Sequence, residues 1–471
     1  MVQKELFSGA WPDVPSAQKK EFIMLSDEII EKYFEKKKYL HFDWRRDFDS
    51  AVEKYVLDFN KIAMHGFLPL IHYVDIREMY TGMPNPEINN RPIKEKPRDI
   101  MFAGHLDSYI YTYYSLKLND LYNNWTENND IDTCSIAYRT NKKGLSSINF
   151  AAEVVNRIVN YEEAFILVGD FTNFFDQIDH KLLKINLCRV LAETRLPDYW
   201  YNIYRSLTKY GYYKIEDINE YCGTEQSLRN QRQYSYFKSL KEFRDFQKTI
   251  KTKYNKNLYG IPQGTALSGI FANIYAIDFD LDLLKIAKRY GGLYRRYSDD
   301  FILVIPKGPS PINLRKIEQS VYNSAHANKI DLHKSKTHTY KLLNQEIKSL
   351  YKGEKSHIDY LGFIYDGKTV RIRGKSPYKF YRNSIKLIKK AKRVKGKKGL
   401  SKLPYRKKIY MLYTDLGARR RPHGNFISYV KRSQKVFDRI SPSTENKMLE
   451  QIKNRKKKLE KEMGIKLHTK I

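Results

Sequence analysis

Residues 294–305 read Tyr-Arg-Arg-Tyr-Ser-Asp-Asp-Phe-Ile-Leu-Val-Ile. Two runs rich in aromatic and β-branched residues flank a short polar segment, which predicts a β-hairpin. Two adjacent carboxylates, Asp299 and Asp300, stand at its turn. Side chains alternate across a strand, so both can face one side only if the turn bends the backbone. Neighbouring negative charges are costly unless a cation neutralises them, so the pair is either solvated or holds metal.

The composition is that of a folded protein with a strong positive charge. Its 471 residues include 86 Lys and Arg against 53 Asp and Glu, a net charge of +33, and 41% of residues are hydrophobic. A field of this sign favours a polyanionic partner, either nucleic acid or, as the alternative, an anionic membrane surface. No run approaches the roughly 18 apolar residues that span a bilayer, and residues 1–5 lack the apolar region of a signal peptide. We therefore predict a soluble, cytoplasmic protein without a membrane partner.

The three cysteines carry no recognisable chemistry. Cys134, Cys188 and Cys222 are widely spaced and form no Cys-x-x-Cys pair or zinc-type cluster with His. This usage predicts reduced packing residues in a cytoplasmic protein.

Several segments have clear secondary-structure patterns. Residues 165–170 predict a short apolar strand that ends in Asp170, and residues 180–191 predict an amphipathic helix with Asp179 as its N-cap. Further along, the patterns predict a turn at 260–264, helices at 267–275 and 311–328, and a hairpin of strands at 360–365 and 370–373.

The remaining segments are described more coarsely. Residues 1–90 predict helices, from the apolar spacing in Glu21–Leu25 and Ala51–Leu57. Residues 83–98 are interrupted by prolines and predict a loop. Residues 200–258 are rich in Tyr, Lys and Arg and are interpreted as an insertion, whereas residues 374–471 predict very basic helices.

Taken in order, these motifs resemble the palm of bacterial reverse transcriptases, the family of group II intron, retron and phage-defence enzymes. The similarity covers residues 91–373 and is most like the defence-associated or abortive-infection members. The motifs are the finger segment Ser135–Arg139, the first catalytic motif Asp170–His180, the Pro-Gln-Gly motif Gly260–Tyr275, the metal-binding box Tyr297–Asp300, the lysine motif Lys336–Thr337 and the primer-grip hairpin at Leu361–Phe363.

The resemblance implies an α+β fold of the right-hand polymerase type, with fingers, a palm containing an antiparallel sheet and a mainly helical, thumb-like C-terminal region. The domains expected from it are a helical N-terminal extension (1–90), fingers (91–165), a palm (166–373, with the insertion at about 200–258) and a basic helical thumb-like region (374–471). Of the first catalytic motif, Asp176, Asp179 and His180 are expected to be capping or structural residues.

The resemblance also implies nucleotidyl transfer with two Mg²⁺ ions, Mn²⁺ being the alternative. Two divalent cations can stabilise the attacking and leaving oxygens of an in-line displacement together. Mg²⁺ prefers hard carboxylate oxygens with phosphate and water, so few protein ligands suffice. Asp170 and Asp299 are the expected direct ligands, and Asp300 is the expected supporting carboxylate.

Nucleotide and template roles follow from the same alignment of motifs. Phe175 matches the aromatic steric gate that would crowd a ribose 2′-hydroxyl, although a core aromatic would look the same in sequence. Gln263 and Gly264 would support the template and the incoming nucleotide, because glycine permits close backbone approach.

Three cations have expected roles at the phosphates. Lys336 would protonate the leaving pyrophosphate, with a solvated surface lysine as the alternative. Arg98 and Lys96 would clamp the triphosphate, the first by its guanidinium fork and the second as a point charge.

The C-terminal region is dense in cations, with eight between residues 386 and 398. A charge run is usually a solvated face. This one follows the primer-grip hairpin, where a thumb would hold a duplex, so we expect phosphate contacts. Residues 424–432 resemble a C-terminal segment of defence-associated reverse transcriptases, and residues 453–461 suit either RNA binding or solubility.

The function predicted from the sequence is an RNA-directed DNA polymerase that makes cDNA from dNTPs in antiphage defence. Its partners would be an RNA template, such as a dedicated non-coding RNA, and the DNA product. One alternative is template-independent or protein-primed DNA synthesis, as in the abortive-infection members. The other is a non-catalytic RNA-binding scaffold, against which the intact carboxylates argue.

Overall fold

A computed structural model describes residues 25–88, 90–306, 311–419 and 424–467. The chain forms two compact units, each built from separated segments. Unit 1 contains the described residues up to Tyr73, together with Met101–Trp125 and Ile178–Tyr275. Unit 2 contains Val74–Ile100, Thr126–Gln177 and the described residues from Ala276 onwards.

The helices have the following bounds: α1 (Asp27–Tyr33), α2 (Ser50–Leu57), α3 (Phe59–Ala63), α4 (His105–Asn128), α5 (Ser147–Val159), α6 (Phe174–Gln177), α7 (His180–Leu191), α8 (Asp198–Thr208), α9 (Ile215–Cys222), α10 (Glu225–Asn230), α11 (Leu240–Thr249), α12 (Ser268–Tyr275), α13 (Ile277–Arg289), α14 (Pro311–Ala327), α15 (Lys375–Lys397), α16 (Arg406–Tyr413), α17 (Asp415–Ala418), α18 (Phe426–Ile440) and α19 (Arg455–Met463). Two 3₁₀ turns lie at Pro86–Ile88 and Glu450–Ile452.

The strands are β1 (Leu70–Val74), β2 (Arg77–Asn85), β3 (Arg91–Lys96), β4 (Asp99–Phe102), β5 (Glu163–Asp170), β6 (Gly211–Lys214), β7 (Lys253–Tyr254), β8 (Leu293–Tyr297), β9 (Asp300–Pro306), β10 (His338–Leu343), β11 (Glu346–Ser349), β12 (Ile358–Tyr360), β13 (Phe363–Tyr365), β14 (Thr369–Ile372) and β15 (Glu445–Asn446). They form sheets in the orders β4-β1-β6-β7, β11-β10-β5-β9-β8, β12-β13-β14-β15 and β2-β3.

Unit 1 is organised around an aromatic core. Phe42, Tyr213, Phe237 and Phe246 are buried together with other apolar side chains from residues 40–71 and 213–246. The stretch 200–258, interpreted from the sequence as an insertion, therefore shares its core with the N-terminal segment. It also contributes β6 and β7 to the sheet that contains β1.

Unit 2 is organised around the antiparallel five-stranded sheet, with β5 in the middle. Strand β5 pairs with β10 on one side and β9 on the other, and its residues after Glu163 are buried. Both faces are covered, which explains why its sequence is a continuous apolar run instead of an alternating one. At Gly169 a Cβ would lie 2.3 Å from the Phe301 ring, so this position needs glycine.

The C-terminal part of unit 2 contains amphipathic helices. Ile388 and Ala391 on α15 are buried with Ile409 of α16 and Leu459 of α19. The cations of residues 386–398 are all exposed. The prediction of basic helices at 374–471 is confirmed for α15, α16, α18 and α19, whereas the short helix α17 contains no basic residue.

Most local predictions are confirmed by the structure. The hairpin at 294–305 forms from β8 and β9, the strand at 165–170 lies within β5, and the helices at 267–275 and 311–328 correspond to α12 and α14. Helix α7 has the predicted bounds, and the Asp179 carboxylate accepts a hydrogen bond from the Leu182 N–H at 2.9 Å as its N-cap.

Three local predictions were wrong. Residues 83–98 are mostly the β2–β3 hairpin, not a loop, and residues 70–85 of the N-terminal region are strands, not helices. The strand predicted at 360–365 is divided into β12 and β13, because Leu361 and Gly362 have positive φ angles of 48° and 90°. Within 1–90, helix α2 contains the predicted segment Ala51–Leu57, whereas Glu21–Met24 lie outside the described residues.

No helix in the described ranges combines the length and hydropathy needed to cross a membrane.

Candidate active site

Two neighbouring strands bring the predicted carboxylates to one end of the central sheet. Asp170, the last residue of β5, is the register partner of Asp300, the first residue of β9. The Phe171 N–H donates a hydrogen bond to the Asp299 carbonyl at 3.0 Å, which joins the end of β5 to the β8–β9 turn. Asp170 lies 129 residues before Asp299 in the sequence. The segments that carry Asp170, Asp299 and Asp300 nevertheless meet at one edge of unit 2.

The turn that carries Asp299 has an unusual backbone conformation. Ser298 has a φ of 62°, in the left-handed region that residues with a Cβ adopt at an energetic cost. The Tyr138 hydroxyl donates to the Ser298 hydroxyl at 3.2 Å. This is the backbone bend that the sequence required if adjacent carboxylates were to serve one site.

A buried ion pair fixes the backbone of this turn. Arg296 and Asp280 are both fully buried. The Arg296 Nε and Nη2 atoms each lie 2.7 Å from an Asp280 carboxylate oxygen, and Nη1 donates to the Ser298 carbonyl at 2.9 Å. The Tyr294 hydroxyl donates to the same carboxylate at 2.7 Å. One guanidinium thus connects helix α13 to the backbone immediately before Asp299.

Lys336 is the nearest cation to Asp170. Its Nζ atom lies 2.7 Å from Asp170 Oδ1, and its side chain is 45% exposed. The segment before it is fixed by backbone hydrogen bonds, from the His333 N–H to the Asp170 carbonyl and from the Thr172 N–H to the Asp331 carbonyl, at 2.8 and 2.7 Å. The lysine predicted from the sequence to act at the phosphates therefore lies at the carboxylate edge.

The electrostatics show that the three carboxylates interact. Burial raises the pKa of Asp299, and the negative charge of Asp170 raises it further. Burial together with the charges of Asp299 and Asp170 raises the pKa of Asp300 to about 7, while Arg373 and Lys336 oppose the shift. Negative charge at this edge is under-compensated, which is the condition that a bound cation relieves.

A comparison with protein families decides what this arrangement is. A family described as reverse transcriptase (RNA-dependent DNA polymerase) matches residues 117–365. The chain belongs to the reverse transcriptase family. The matched range is more than half of the chain and contains Asp170, Asp299, Asp300 and Lys336. The predicted fold class is confirmed: the chain has the α+β fold of the right-hand polymerases.

Solved polymerase structures are similar to this reverse transcriptase over part of their length. Apo telomerase from Candida tropicalis, truncated at its C-terminal domain, has a TM-score of 0.39 and 12% identity, over 72% of this chain and 63% of that one. Telomerase from Candida albicans, in complex with a fragment of telomeric RNA, has a TM-score of 0.37 and 13% identity, over 86% of this chain and 65% of that one. The RNA-dependent RNA polymerase of a human picobirnavirus has a TM-score of 0.33 and 10% identity, over 64% of this chain and 43% of that one. The chain spans less than two thirds of each of these proteins.

Two adjacent phenylalanines of the first reverse transcriptase motif have different environments. Phe174 is buried and packs edge-on against Phe171, with the ring centroids 4.8 Å apart. Phe175 is partly exposed, and its ring centroid lies 5.9 Å from that of Phe174. The core role therefore belongs to Phe174, which leaves Phe175 available for the predicted gate.

The Pro-Gln-Gly motif lies in unit 1, and its turn is fixed there. His180 Nε2 lies 2.8 Å from the Gly260 carbonyl oxygen, and the Gln263 carbonyl accepts a hydrogen bond from the Met101 N–H at 2.8 Å. Gly264 has a φ of 120°, which L-residues with a side chain rarely adopt. His180 and Asp179 are thus structural, as predicted, and the roles of Gln263 and Gly264 remain predictions.

Lys96 and Arg98 lie at and just beyond the end of strand β3. Two backbone hydrogen bonds between Arg98 and Asp75, at 2.9 and 3.1 Å, fix this part of the chain. Both cations line a cavity that Lys375 also lines.

The donor set fits a hard divalent cation by its chemistry. Asp170, Asp299 and Asp300 offer only carboxylate oxygens, the ligands that Mg²⁺ prefers, and reverse transcriptase domains generally use divalent metal ions. In the described part of the chain, no three His, Cys, Asp or Glu side chains are arranged so that together they could hold a metal ion. The charge next to Asp170 is the Lys336 ammonium.

The sequence did not reveal two parts of the site. Strand alternation places Tyr294 and Arg296 on the same inward face of β8. This alternation could have predicted that the arginine is buried. It could not have predicted its partner, because Asp280 lies on a separate helix. Lys375 follows the β13–β14 hairpin. Burial lowers its pKa and the Asp300 charge opposes this shift, an interaction that no local pattern indicates.

Removing the Asp300 charge should stabilise the metal-free protein in a pH-dependent way. A carboxyl whose folded pKa exceeds its unfolded value destabilises the fold once the pH passes the unfolded pKa, and fully so above the folded pKa. In EDTA, Asp300→Asn should therefore raise the free energy of unfolding by about 2 kcal/mol at pH ~8, with a smaller gain at pH ~5. Urea unfolding at both pH values measures this, with exposed Glu162→Gln as the control. A gain that is constant with pH would contradict the account.

Breaking the buried Arg296–Asp280 pair should be costly, whereas replacing both partners should cost much less. Arg296→Met and Asp280→Leu should each lower the free energy of unfolding by about 3–5 kcal/mol, because each leaves a buried charge without its partner. The double variant should lose less than the sum of the two. Arg77→Met is the control: it removes a 2.5 Å ion pair to Asp75 in which the arginine side chain is 53% exposed, and it should cost about 0–1 kcal/mol. Equal, additive costs in urea unfolding would contradict this.

Proposed function

We propose that this chain is an RNA-directed DNA polymerase that synthesises cDNA from dNTPs on an RNA template. The observation that carries the proposal is the register pairing of Asp170 with Asp300, with Asp299 in the adjoining turn. The two segments that resemble the carboxylate motifs of the reverse transcriptase family thus meet at one edge of the sheet, which supports the proposal. Besides burial, the charge of Asp170 raises the pKa values of Asp299 and Asp300, which supports a shared site.

Asp170, Asp299 and Asp300 would hold two Mg²⁺ ions, with Mn²⁺ as the alternative. When bound, such a pair stabilises both the attacking and the leaving oxygens in nucleotidyl transfer. The chain's own contribution is to fix the carboxylates, through the β5–β9 ladder and the buried Arg296–Asp280 pair.

Other side chains would select and orient the nucleotide. The partly exposed Phe175 ring would crowd a ribose 2′-hydroxyl and so favour dNTPs. Gln263 and Gly264 would support the template and the base. Lys336, which lies beside Asp170 and is half-exposed, would donate a proton to the leaving pyrophosphate.

The basic face of α15 would contact nucleic-acid phosphates. Its exposed cations stand opposite the buried Ile388 and Ala391, which gives one helix an apolar side for packing and a charged side for a partner. An RNA template, such as a dedicated non-coding RNA, and the DNA product are the proposed partners.

The proposed setting is antiphage defence in the cytoplasm. The support is the sequence resemblance of the motif set, and of residues 424–432, to defence-associated reverse transcriptases. The segment 424–432 contains the start of α18, where the Asn425 side chain accepts a hydrogen bond from the Ile427 N–H at 2.9 Å as part of the N-terminal cap.

The test of polymerase activity is the double variant Asp299→Ala, Asp300→Ala. It should abolish dNTP incorporation on a poly(rA)–oligo(dT) substrate, because the cation ligands are lost, while RNA binding stays close to wild type and the thermal unfolding temperature does not fall. Asp130→Ala is the control, since it removes a carboxylate whose side chain is 85% exposed. Unchanged incorporation by the double variant would refute the assignment.

The same assay separates the alternative functions. Incorporation that persists after ribonuclease treatment, with a product whose gel mobility changes after protease digestion, would indicate template-independent or protein-primed synthesis. Tight RNA binding without incorporation by the wild-type protein would indicate a non-catalytic scaffold.

A further inference from the structure

A cavity in unit 1 is lined by an exposed tryptophan and two arginines. Its volume is about 400 Å³, within the range of about 300–1,000 Å³ typical of small-molecule and cofactor sites. Aromatic, cationic, acidic and aliphatic side chains share the wall, among them Trp44, Arg45, Arg46, Asp49, Tyr55 and Leu106. All lining residues belong to unit 1, so the cavity is built without the three carboxylates of the candidate active site.

The loop that carries Trp44 has a fixed backbone. The Asp43 carboxylate accepts hydrogen bonds from the first two N–H groups of α4, at 3.0 and 3.1 Å. The Tyr109 hydroxyl donates to the Arg46 carbonyl at 3.0 Å. Trp44 nevertheless remains 55% exposed. A large ring that a fixed loop keeps in solvent gives up hydrophobic stabilisation, which is typical of a side chain that contacts a partner.

A hydrogen-bonded chain fixes Tyr55, the second aromatic residue of the lining. The Tyr55 hydroxyl lies 2.8 Å from His65 Nδ1, and His65 Nε2 lies 2.8 Å from Asp107 Oδ1. The other Asp107 oxygen accepts a hydrogen bond from the Leu68 N–H at 2.9 Å. The His65 and Asp107 side chains are buried. A wall that is fixed in this way needs little reordering when a ligand binds, which lowers the entropic cost of binding.

The two arginines of the lining have different environments. The Arg45 guanidinium donates to the Lys38 carbonyl and lies 5.4 Å from the centroid of the Tyr234 ring. Burial and the neighbouring Arg229 charge lower the pKa of Arg45, so positive charge is crowded here. Arg46 is exposed and forms no ion pair with any residue that the structure describes. One guanidinium therefore remains available for an anionic group.

Asp49 can offer the cavity a hydrogen-bond acceptor. Its Oδ1 atom caps α2, because it accepts hydrogen bonds from the Ala51 and Val52 N–H groups at 3.0 and 2.8 Å. Among the described residues, none donates a hydrogen bond to Asp49 Oδ2. An ionised carboxylate can only accept hydrogen bonds, so an amino group is the ligand donor that suits this oxygen.

Together these groups suit a nucleobase with its attached phosphate. An indole face stacks on any base, a guanidinium binds phosphate, and a carboxylate accepts a hydrogen bond from an exocyclic amino group. Tryptophan and arginine also anchor protein interfaces. The net charge of +33, together with the exposed guanidinium in the lining, favours a phosphate-bearing ligand over a protein surface of mixed charge.

We propose that this cavity binds an unpaired nucleobase and its phosphate, with Trp44 stacked on the base, Arg46 at the phosphate and Asp49 at an exocyclic amino group. The base comes either from a single-stranded segment of RNA or from a free nucleotide. Cytosine and adenine carry the amino group and uracil does not, so they are the preferred bases. The inference does not rest on the proposed polymerase function, because the proposed metal ligands all belong to unit 2.

The first test measures stacking by fluorescence anisotropy with a short labelled oligo(rC), at about 0.3 M salt to limit non-specific phosphate binding. Trp44→Ala should weaken binding about tenfold or more, whereas Trp44→Phe, which keeps a ring, should retain most of the affinity. Tyr254→Ala is the matched control, since Tyr254 is another aromatic residue of unit 1 and is 59% exposed. Wild-type affinity in Trp44→Ala, or an equal loss in Tyr254→Ala, would overturn the inference.

Asp49→Asn tests the amino contact while keeping the helix cap. Asparagine caps helices about as well as aspartate, but its amide presents a donor in place of the second acceptor. The wild-type protein should bind oligo(rC) more tightly than oligo(rU), two strands whose bases have the same ring size. Asp49→Asn should abolish or reverse that preference, with an unfolding temperature close to wild type. A preference that the variant keeps would contradict the inference.

A calorimetric titration of CMP into the full chain identifies the source of the base. Binding that Trp44→Ala abolishes, with displacement of the labelled oligonucleotide, would assign the cavity to a free nucleotide. Trp44-dependent binding of the oligonucleotide alone would assign it to an RNA strand. Binding of neither probe by the wild type would overturn the inference. Because Asp299→Ala with Asp300→Ala should bind both probes like the wild type, failure of the polymerase assignment would leave this site standing.

Discussion

The buried ion pair of Arg296 and Asp280 is the constraint on which the carboxylate edge of the candidate active site depends. Both side chains are fully buried, and the third guanidinium contact goes to the Ser298 carbonyl, in a turn with positive φ. Such a pair adds little net stability over a well-packed apolar replacement, but it is very costly to half-remove. Its value here is geometric, because it fixes the backbone that presents Asp299 next to the end of β5. The strain at Ser298 and the cost of the buried charges are both located at the functional edge.

Negative and positive charges are concentrated in two different regions of unit 2. At the carboxylate edge, burial concentrates negative charge, and the pKa of Asp300 rises to about 7. In the cavity between the β2–β3 hairpin and α15, the lining includes six cationic side chains and one acidic side chain. Neither region is optimal for the stability of the isolated chain. Perturbed charges of this kind cluster at functional sites, and those at the carboxylate edge suit the divalent cations proposed above. The exposed cations further along α15 form a separate basic surface, for which nucleic acid is the proposed partner.

The sequence predicted the elements whose structure depends on contacts between residues close together in the chain. The alternation and turn at 294–305, the apolar strand before Asp170 and the Asp179 cap of α7 all depend on neighbours within a few residues. The β2–β3 hairpin was missed because its prolines resemble loop residues, yet Pro84 lies where the register shifts, in a two-stranded sheet that tolerates proline. The Arg296–Asp280 pair and the position of Lys375 depend on distant segments, and periodicity carries no information about such contacts.

The central claim is that carboxylates from two distant segments share divalent cations at one edge of the sheet. The most direct measurement is anomalous diffraction from crystals of the wild-type protein soaked in Mn²⁺. The account predicts anomalous peaks within coordination distance of carboxylate oxygens of both Asp170 and Asp299, with the Lys336 ammonium moved away from Asp170. Peaks that contact only one of the two carboxylates, with Lys336 still bound to Asp170, would contradict it.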